Sequence, residues 1–174
     1  MQGKNHHHYI IIGAGPAGLQ MGYFLKKNNR DYIIIEGSDQ PGSFFEKFPR
    51  HKALLTMNKR FTGYEDKERR LRYDWNSLLS DSPSMEFRHY SKRYLPNNDE
   101  YQAYLVDFAR YFSLSIHYNI TIEKISMQDK TFHLADDRGS IYTCSVLIIA
   151  TGVTKPVPHT NRCIILGNGR SPMQ

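Results

Sequence analysis

The chain has 174 residues, 40% of them hydrophobic, and a formal charge of +6. That suffices for one domain of ordinary size that buries its own core without disulfide or metal staples. No run approaches the roughly 18 apolar residues of a membrane-spanning helix, and the opening MQGKNHHHYI lacks the apolar segment of a secretory signal, so neither a transmembrane anchor nor export is expected from these residues.

In chain order, His6, His7 and His8 come first. Adjacent side chains of a strand point to opposite faces and cannot converge on one ion, so no metal is expected there. Tyr9 to Ile12 form a short apolar run bounded by glycine, the pattern of a strand buried on both faces of a parallel sheet. The turn Gly13-Ala14-Gly15-Pro16-Ala17-Gly18 follows directly. Ala17, Met21, Phe24 and Leu25 then recur at helical spacing, and Tyr32 to Ile35 form a second apolar run ending at Glu36. This is one βαβ unit.

From Gly37 to Asn98 the periodicity is weak, and the segment reads as a long ordered excursion. Between Phe44 and Arg93 it carries twelve Lys and Arg against seven Asp and Glu, a local charge of +5, interleaved with aromatic residues. Such a mixture suits a nucleic-acid surface, but no nucleic-acid motif accompanies it, and a solvated face whose aromatic residues pack on a core explains it better. A helix is expected to open at Asp99 with Gln102 as its capping-box partner, and to bury Tyr101, Tyr104, Leu105, Phe108, Ala109 and Phe112.

Beyond Leu114 the period changes to two. Ser115–Tyr118, Ile120–Ile125 and Thr131–Leu134 read as a three-stranded antiparallel meander with a turn at Asp136-Asp137-Arg138-Gly139. Val146–Ile149 reads as a further buried strand running into Ala150-Thr151-Gly152. Cys144 and Cys163 stand in apolar contexts with no C-x-x-C dithiol, as buried structural thiols do.

A lone G-x-G-x-x-G is weak evidence, but here it joins a strand to a helix, and the acidic Glu36 ends the next strand. In that context it specifies a dinucleotide site. Gly13 permits the tight turn, Gly15 admits a pyrophosphate close to the backbone, and Gly18 lets the helix pack on the sheet. The amides around Ala14, Pro16 and Ala17 sit at a helix N-terminus, which favours a phosphate. Glu36, with Gly37 beside it, would accept from both ribose hydroxyls and repel a 2′-phosphate, so FAD or NAD is preferred over NADP.

The order of strand, helix, strand, excursion, meander and SVLIIATG resembles the FAD domain of two-dinucleotide-domain flavoproteins. The fold class implied is α/β, a Rossmann-like FAD-binding fold with a parallel sheet and an inserted antiparallel meander, over residues 1–152. In such proteins the Ala-Thr-Gly segment passes close to the flavin dinucleotide, which implies Thr151 and Gly152 as contacts. More narrowly, QPGSFFEKFPRHKALLTMNKRFTG, LRYDWNSLLS, FRHYSKRYLP and YNITIEKI resemble the FAD-dependent oxidoreductase domain-containing protein 2 family, endoplasmic-reticulum flavoproteins associated with degradation of misfolded glycoproteins.

That resemblance implies FAD as cofactor, proteins of the degradation machinery as partners, and the endoplasmic reticulum lumen as location. The sequon Asn119-Ile120-Thr121 suits a lumenal chain. Where the wider monooxygenase-like class carries Gly-Gly-x-Trp along the flavin pyrophosphate, this chain has Gly42-Ser43-Phe44, so Ser43 and Phe44 are implied contacts. Asn58 corresponds to an asparagine near the isoalloxazine face, as a catalytic group or simply a turn residue, and backbone at Ile122 would frame the adenine. Relatives insert a second fold that binds NADP. CIILGNG resembles its beginning, and residues 153–174 read as a linker with an incomplete start of it, the second dinucleotide fold being missing. On this reading the chain is a truncated form with little NADPH-driven turnover, and its alternative is a non-catalytic interaction module.

Overall fold

The structure is a computed structural model that describes residues 5–47, 52–152 and 163–165. The chain divides into two compact units: Met1–Pro41 with Ser113–Gln174, and Gly42–Phe112.

In the first unit, β1 (His6–Ile12), β2 (Tyr32–Ile35), β3 (Ile116–His117), β6 (Ile141–Ile149) and β7 (Cys163–Ile165) pair in parallel in the order β3-β2-β1-β6-β7. Two further strands, β4 (Ile122–Gln128) and β5 (Thr131–Asp136), continue antiparallel from β6. β5 pairs with the beginning of β6, up to Cys144, and β7 with its end, from Leu147, so one nine-residue strand serves both arrangements. The core between them holds Ile10, Ile33, Ile35, Phe132, Leu134, Leu147 and Ile149, with Ile12 and Ile122 packed at its margin.

The meander is therefore present, but its members differ from those expected. Ser115–Tyr118 yields only β3, which pairs parallel with β2. The chain then turns at Asn119, whose φ is +58°, and the amides of Asn119 and Ile120 donate to the carbonyls of Ser38 and Glu36 at 3.0 Å. Those bonds commit the segment to the far edge of the sheet. The third strand is the first half of β6, and β4 reaches β5 through Asp129-Lys130, both in the left-handed region, as a two-residue hairpin turn requires. Cys163–Ile165, from the stretch expected to open a second dinucleotide fold, pair as β7 with β6, while Leu166 and Gly167-Asn168-Gly169 lie outside the described residues.

Helix α1 (Pro16–Lys27) buries Gly18, Leu19, Gly22, Tyr23 and Leu25, whereas Phe24, expected on the buried face, is 38% exposed. Close approach to the sheet decides this. A Cβ on Gly22 would stand 2.7 Å from Ile34 Cδ1, so the glycine face turns inward and the larger side chain is displaced outward.

The second unit holds α2 (Ser43–Lys47), α3 (Lys67–Tyr73), the 3₁₀ turns Pro83–Met85 and Phe87–His89, and α4 (Asn98–Tyr111). α4 starts earlier than expected. Its capping box is Asn97 with Glu100, whose Oε2 accepts from the Asn97 amide at 2.8 Å, and Asp99 falls in the first turn, where a negative charge suits the helix dipole. Tyr101, Tyr104, Leu105, Phe108 and Ala109 are buried as expected. Phe45, Phe87 and Tyr90 pack against the tyrosines of this face, so the excursion owes its order to an aromatic core. Beside that core Glu86, 3% exposed, pairs with Arg70 at 2.7 Å and Arg88 at 2.8 Å.

Candidate functional site

The glycine turn sits at the carboxyl end of β1, where open α/β sheets bind ligands. Gly13 has φ +103°, and a Cβ there would lie 2.6 Å from the Ala150 carbonyl oxygen, so strand β6 and the turn meet without room for a side chain. A Cβ on Gly18 would collide with the Gly13 carbonyl. Gly15 is different. It is the N-cap of α1, with φ −74° and ψ −177°, and a Cβ placed on it meets nothing within 4 Å. Two glycines are thus consumed by packing, and the third faces open space in front of a helix N-terminus.

The first intrahelical bond there runs from the Leu19 amide to the Gly15 carbonyl at 2.9 Å. Pro16 has no N–H, and the amides of Ala17 and Gly18 precede the first acceptor that α1 provides. Donors and a partial positive charge therefore face the opening over Gly15.

Glu36 is 9% exposed at the end of β2. Its Oε2 accepts from the Ala14 amide at 2.7 Å and its Oε1 from the Ser38 amide at 3.0 Å. The carboxylate thus fixes the glycine turn and the backbone around Gly37. A carboxylate oxygen accepts more than one hydrogen bond, so these two bonds do not in themselves preclude a ribose hydroxyl. Ala150 is buried behind Gly13, while Thr151 and Gly152 are exposed, Gly152 with φ +75°. Ile122 opens β4, half-buried at the margin of the core. The first unit therefore brings together Gly13, Ala14, Gly15, Pro16, Ala17, Gly18, Glu36 and the Ala-Thr-Gly segment.

Ser43, Phe44 and Asn58 belong to the second unit. Ser43 begins α2 and Phe44 is 47% exposed. The preceding Gly42 has φ +71°, and a Cβ there would come within 2.7 Å of Leu105 Cδ1. Asn58 is 7% exposed, and its Nδ2 donates to the Ser91 carbonyl at 2.8 Å. That bond ties together segments 33 residues apart, a role that sequence spacing gave no sign of.

Cys144 is buried, and burial pushes its thiol up to about 12. It is unsuited to redox exchange at neutral pH. His6 Nδ1 meets Thr143 Oγ1 and His7 Nδ1 meets Asp31 Oδ1, each at 2.8 Å, so the two rings diverge to separate partners.

Residues 10–162 match the sequence model of a family described as pyridine nucleotide-disulphide oxidoreductase. The chain belongs to that family. Within the pyridine nucleotide-disulphide oxidoreductase family it is similar to the FAD-dependent oxidoreductase domain-containing protein 2 of Mus musculus, 46% identical over 160 residues that cover 88% of this chain and 24% of the mouse protein. The Danio rerio protein of the same name is 44% identical, over 90% of this chain and 24% of its own length. The chain thus spans about a quarter of the length of these relatives, and the resemblance drawn from the excursion motifs is met.

Among solved structures, a bacillithiol disulfide reductase from Staphylococcus aureus superposes with a TM-score of 0.66 at 20% identity, over 85% of this chain and 39% of that one. A flavin-containing monooxygenase from Stenotrophomonas maltophilia gives 0.66 at 21%, with the same coverage. These likenesses establish the α/β fold.

Proposed function

We propose that this chain is the FAD-binding part of an NADPH-dependent flavoprotein oxidoreductase. One observation carries the proposal. Gly15, unlike Gly13 and Gly18, is not required by packing, since a Cβ on it meets nothing within 4 Å, and the open space over it in front of the α1 N-terminus suits a dinucleotide pyrophosphate. Glu36 orients the ribose, and its negative charge disfavours a 2′-phosphate, which separates FAD or NAD from NADP. The antiparallel β4 and β5, and similarity to proteins named FAD-dependent, favour FAD.

When bound, the flavin supplies the redox chemistry, and this chain's residues hold and orient it. The proposal extends to a lumenal location in the endoplasmic reticulum and to partners in glycoprotein degradation, on the resemblance alone.

The test is an absorbance spectrum of the purified chain after FAD is added and the excess removed. Flavin bands that stay with the protein, and are lost in Gly15→Glu, are the expected result. A folded but colourless chain overturns the proposal for these residues.

A further inference from the structure

A second site lies wholly within Gly42–Phe112. Two segments, Asn58–Thr62 and Lys92–Tyr94, together with Tyr73, line an open cavity of about 490 Å³. The segments are held in register by buried polar groups. The Asn58 amide donates to the Tyr94 carbonyl at 2.8 Å, Asn58 Nδ2 donates to the Ser91 carbonyl at 2.8 Å, and the Arg93 amide donates to Ser91 Oγ at 3.1 Å. Asn58 and Ser91 are 7% and 3% exposed, so the frame is fixed rather than draped.

That frame presents Lys59, Arg60, Lys92 and Arg93 to one cavity, and none of the lining residues is acidic. Among the described residues the only carboxylate within ion-pair reach of the four is Glu100, 3.9 Å from Arg93. Four like charges gathered around one carboxylate destabilise the unit that carries them, so the arrangement points to an anionic occupant. The cations are also laid over rings. Lys59 Nζ stands 5.0 Å from the Trp75 ring and 5.7 Å from Tyr73, and the Arg60 guanidinium stands 5.3 Å from Phe61. Phe61 and Tyr94, which line the cavity, are 89% and 68% exposed, and Trp75 beside Lys59 is 72% exposed. A small inorganic anion would engage the cations and leave these rings bare. A polypeptide carrying carboxylates at intervals, with apolar side chains between them, would cover both.

We propose that this basic aromatic cavity docks an acidic peptide segment, carboxylates on Lys59, Arg60, Lys92 and Arg93, apolar side chains on Phe61, Trp75 and Tyr94. The inference goes beyond the flavin proposal and stands without it.

Trp75 is the single tryptophan of the chain and its ring stands 5.0 Å from Lys59 Nζ of the lining, so its emission reports occupancy at Lys59. The full chain, without added flavin, is titrated with a blocked hexapeptide of alternating glutamate and leucine, with the glutamine counterpart and with inorganic pyrophosphate. The expected result is a saturable change with the acidic peptide, weakened by added salt, and weaker by up to about fivefold for each cation removed in Lys59→Gln and Lys92→Gln. Circular dichroism checks that the variants fold, and the glutamine peptide and the salt series need no variant at all. Equal binding of the glutamine peptide, saturation by pyrophosphate at least as tight as by the acidic peptide, or no saturable change overturns the proposal.

Discussion

Gly15→Ala separates packing from ligand recognition in one atom. The backbone at Gly15 is extended, with φ −74°, and the added Cβ meets nothing within 4 Å, so the folded chain accepts alanine without strain. Removing a glycine from the unfolded ensemble stabilises by about 0.4–1 kcal/mol, and losing glycine as an N-cap costs a similar amount, so the two offset. The melting temperature should stay within about 3 °C of the parent. The methyl occupies the space assigned to the pyrophosphate, however, and FAD affinity should fall at least about tenfold, or about 1.4 kcal/mol. Gly13→Ala is the opposite control. Its φ of +103° and the 2.6 Å approach to the Ala150 carbonyl cost fold stability directly, on the order of 1–3 kcal/mol for the backbone conformation alone, before any clash. Thermal denaturation and flavin titration of both variants supply the comparison. Undiminished FAD affinity in a well-folded Gly15→Ala chain would refute the placement of the pyrophosphate.

Three other outcomes are expected. Tyr104→Phe deprives the buried Leu78 amide of its acceptor at 2.6 Å and should cost about 1–3 kcal/mol, measured by urea denaturation, without affecting flavin retention. Glu86→Ala strands Arg70 and Arg88 beside the aromatic core and should cost about 3–5 kcal/mol, whereas an effect below about 1 kcal/mol would mean solvent screens the pair. Asp136 is subject to burial, which raises its pKa, but the Ser140 and Arg138 amides outweigh this and hold the carboxyl below its ordinary 3.8. Its contribution is complete above that value and lost as pH falls through the lower folded pKa, so the melting-temperature gap between parent and Asp136→Asn should be constant near neutrality and close in that acidic range.

The glycine turn, Glu36 and the buried runs of β1, β2 and the end of β6 were legible because each is a local pattern with a local cause. What the sequence concealed depends on partners far away in the chain. The inward face of α1 follows from the closeness of Ile34 to Gly22, not from the period of its large residues. The fate of Ser115–Tyr118 is set by the carbonyls of Glu36 and Ser38, and the Asp129-Lys130 turn adopts a geometry that glycine or asparagine would have announced. At the site, Asn58 looked like a turn residue or a flavin neighbour, and its bond to the Ser91 carbonyl could be seen only once residues 58 and 91 were placed together.

The pairing of β1 with β6 also fixes an order of events. His6 sits beside Thr143 and Ile12 beside Ile149, so the middle of the parallel sheet cannot close until nearly the whole segment between them has been made. The intervening Gly42–Phe112 is contiguous, with its own aromatic core, and its contacts are available first. Closing so long a loop adds little to the equilibrium cost, because loop entropy grows only with the logarithm of length, but it slows the search. During synthesis β1 and β2 must wait as an apolar pair with an unfilled edge, and the arrival of β6 both covers that edge and brings Ala150 against Gly13. The nucleotide turn is thus finished by a strand that emerges long after the turn itself, so under the proposed function flavin capture would report completion of the sheet rather than its start.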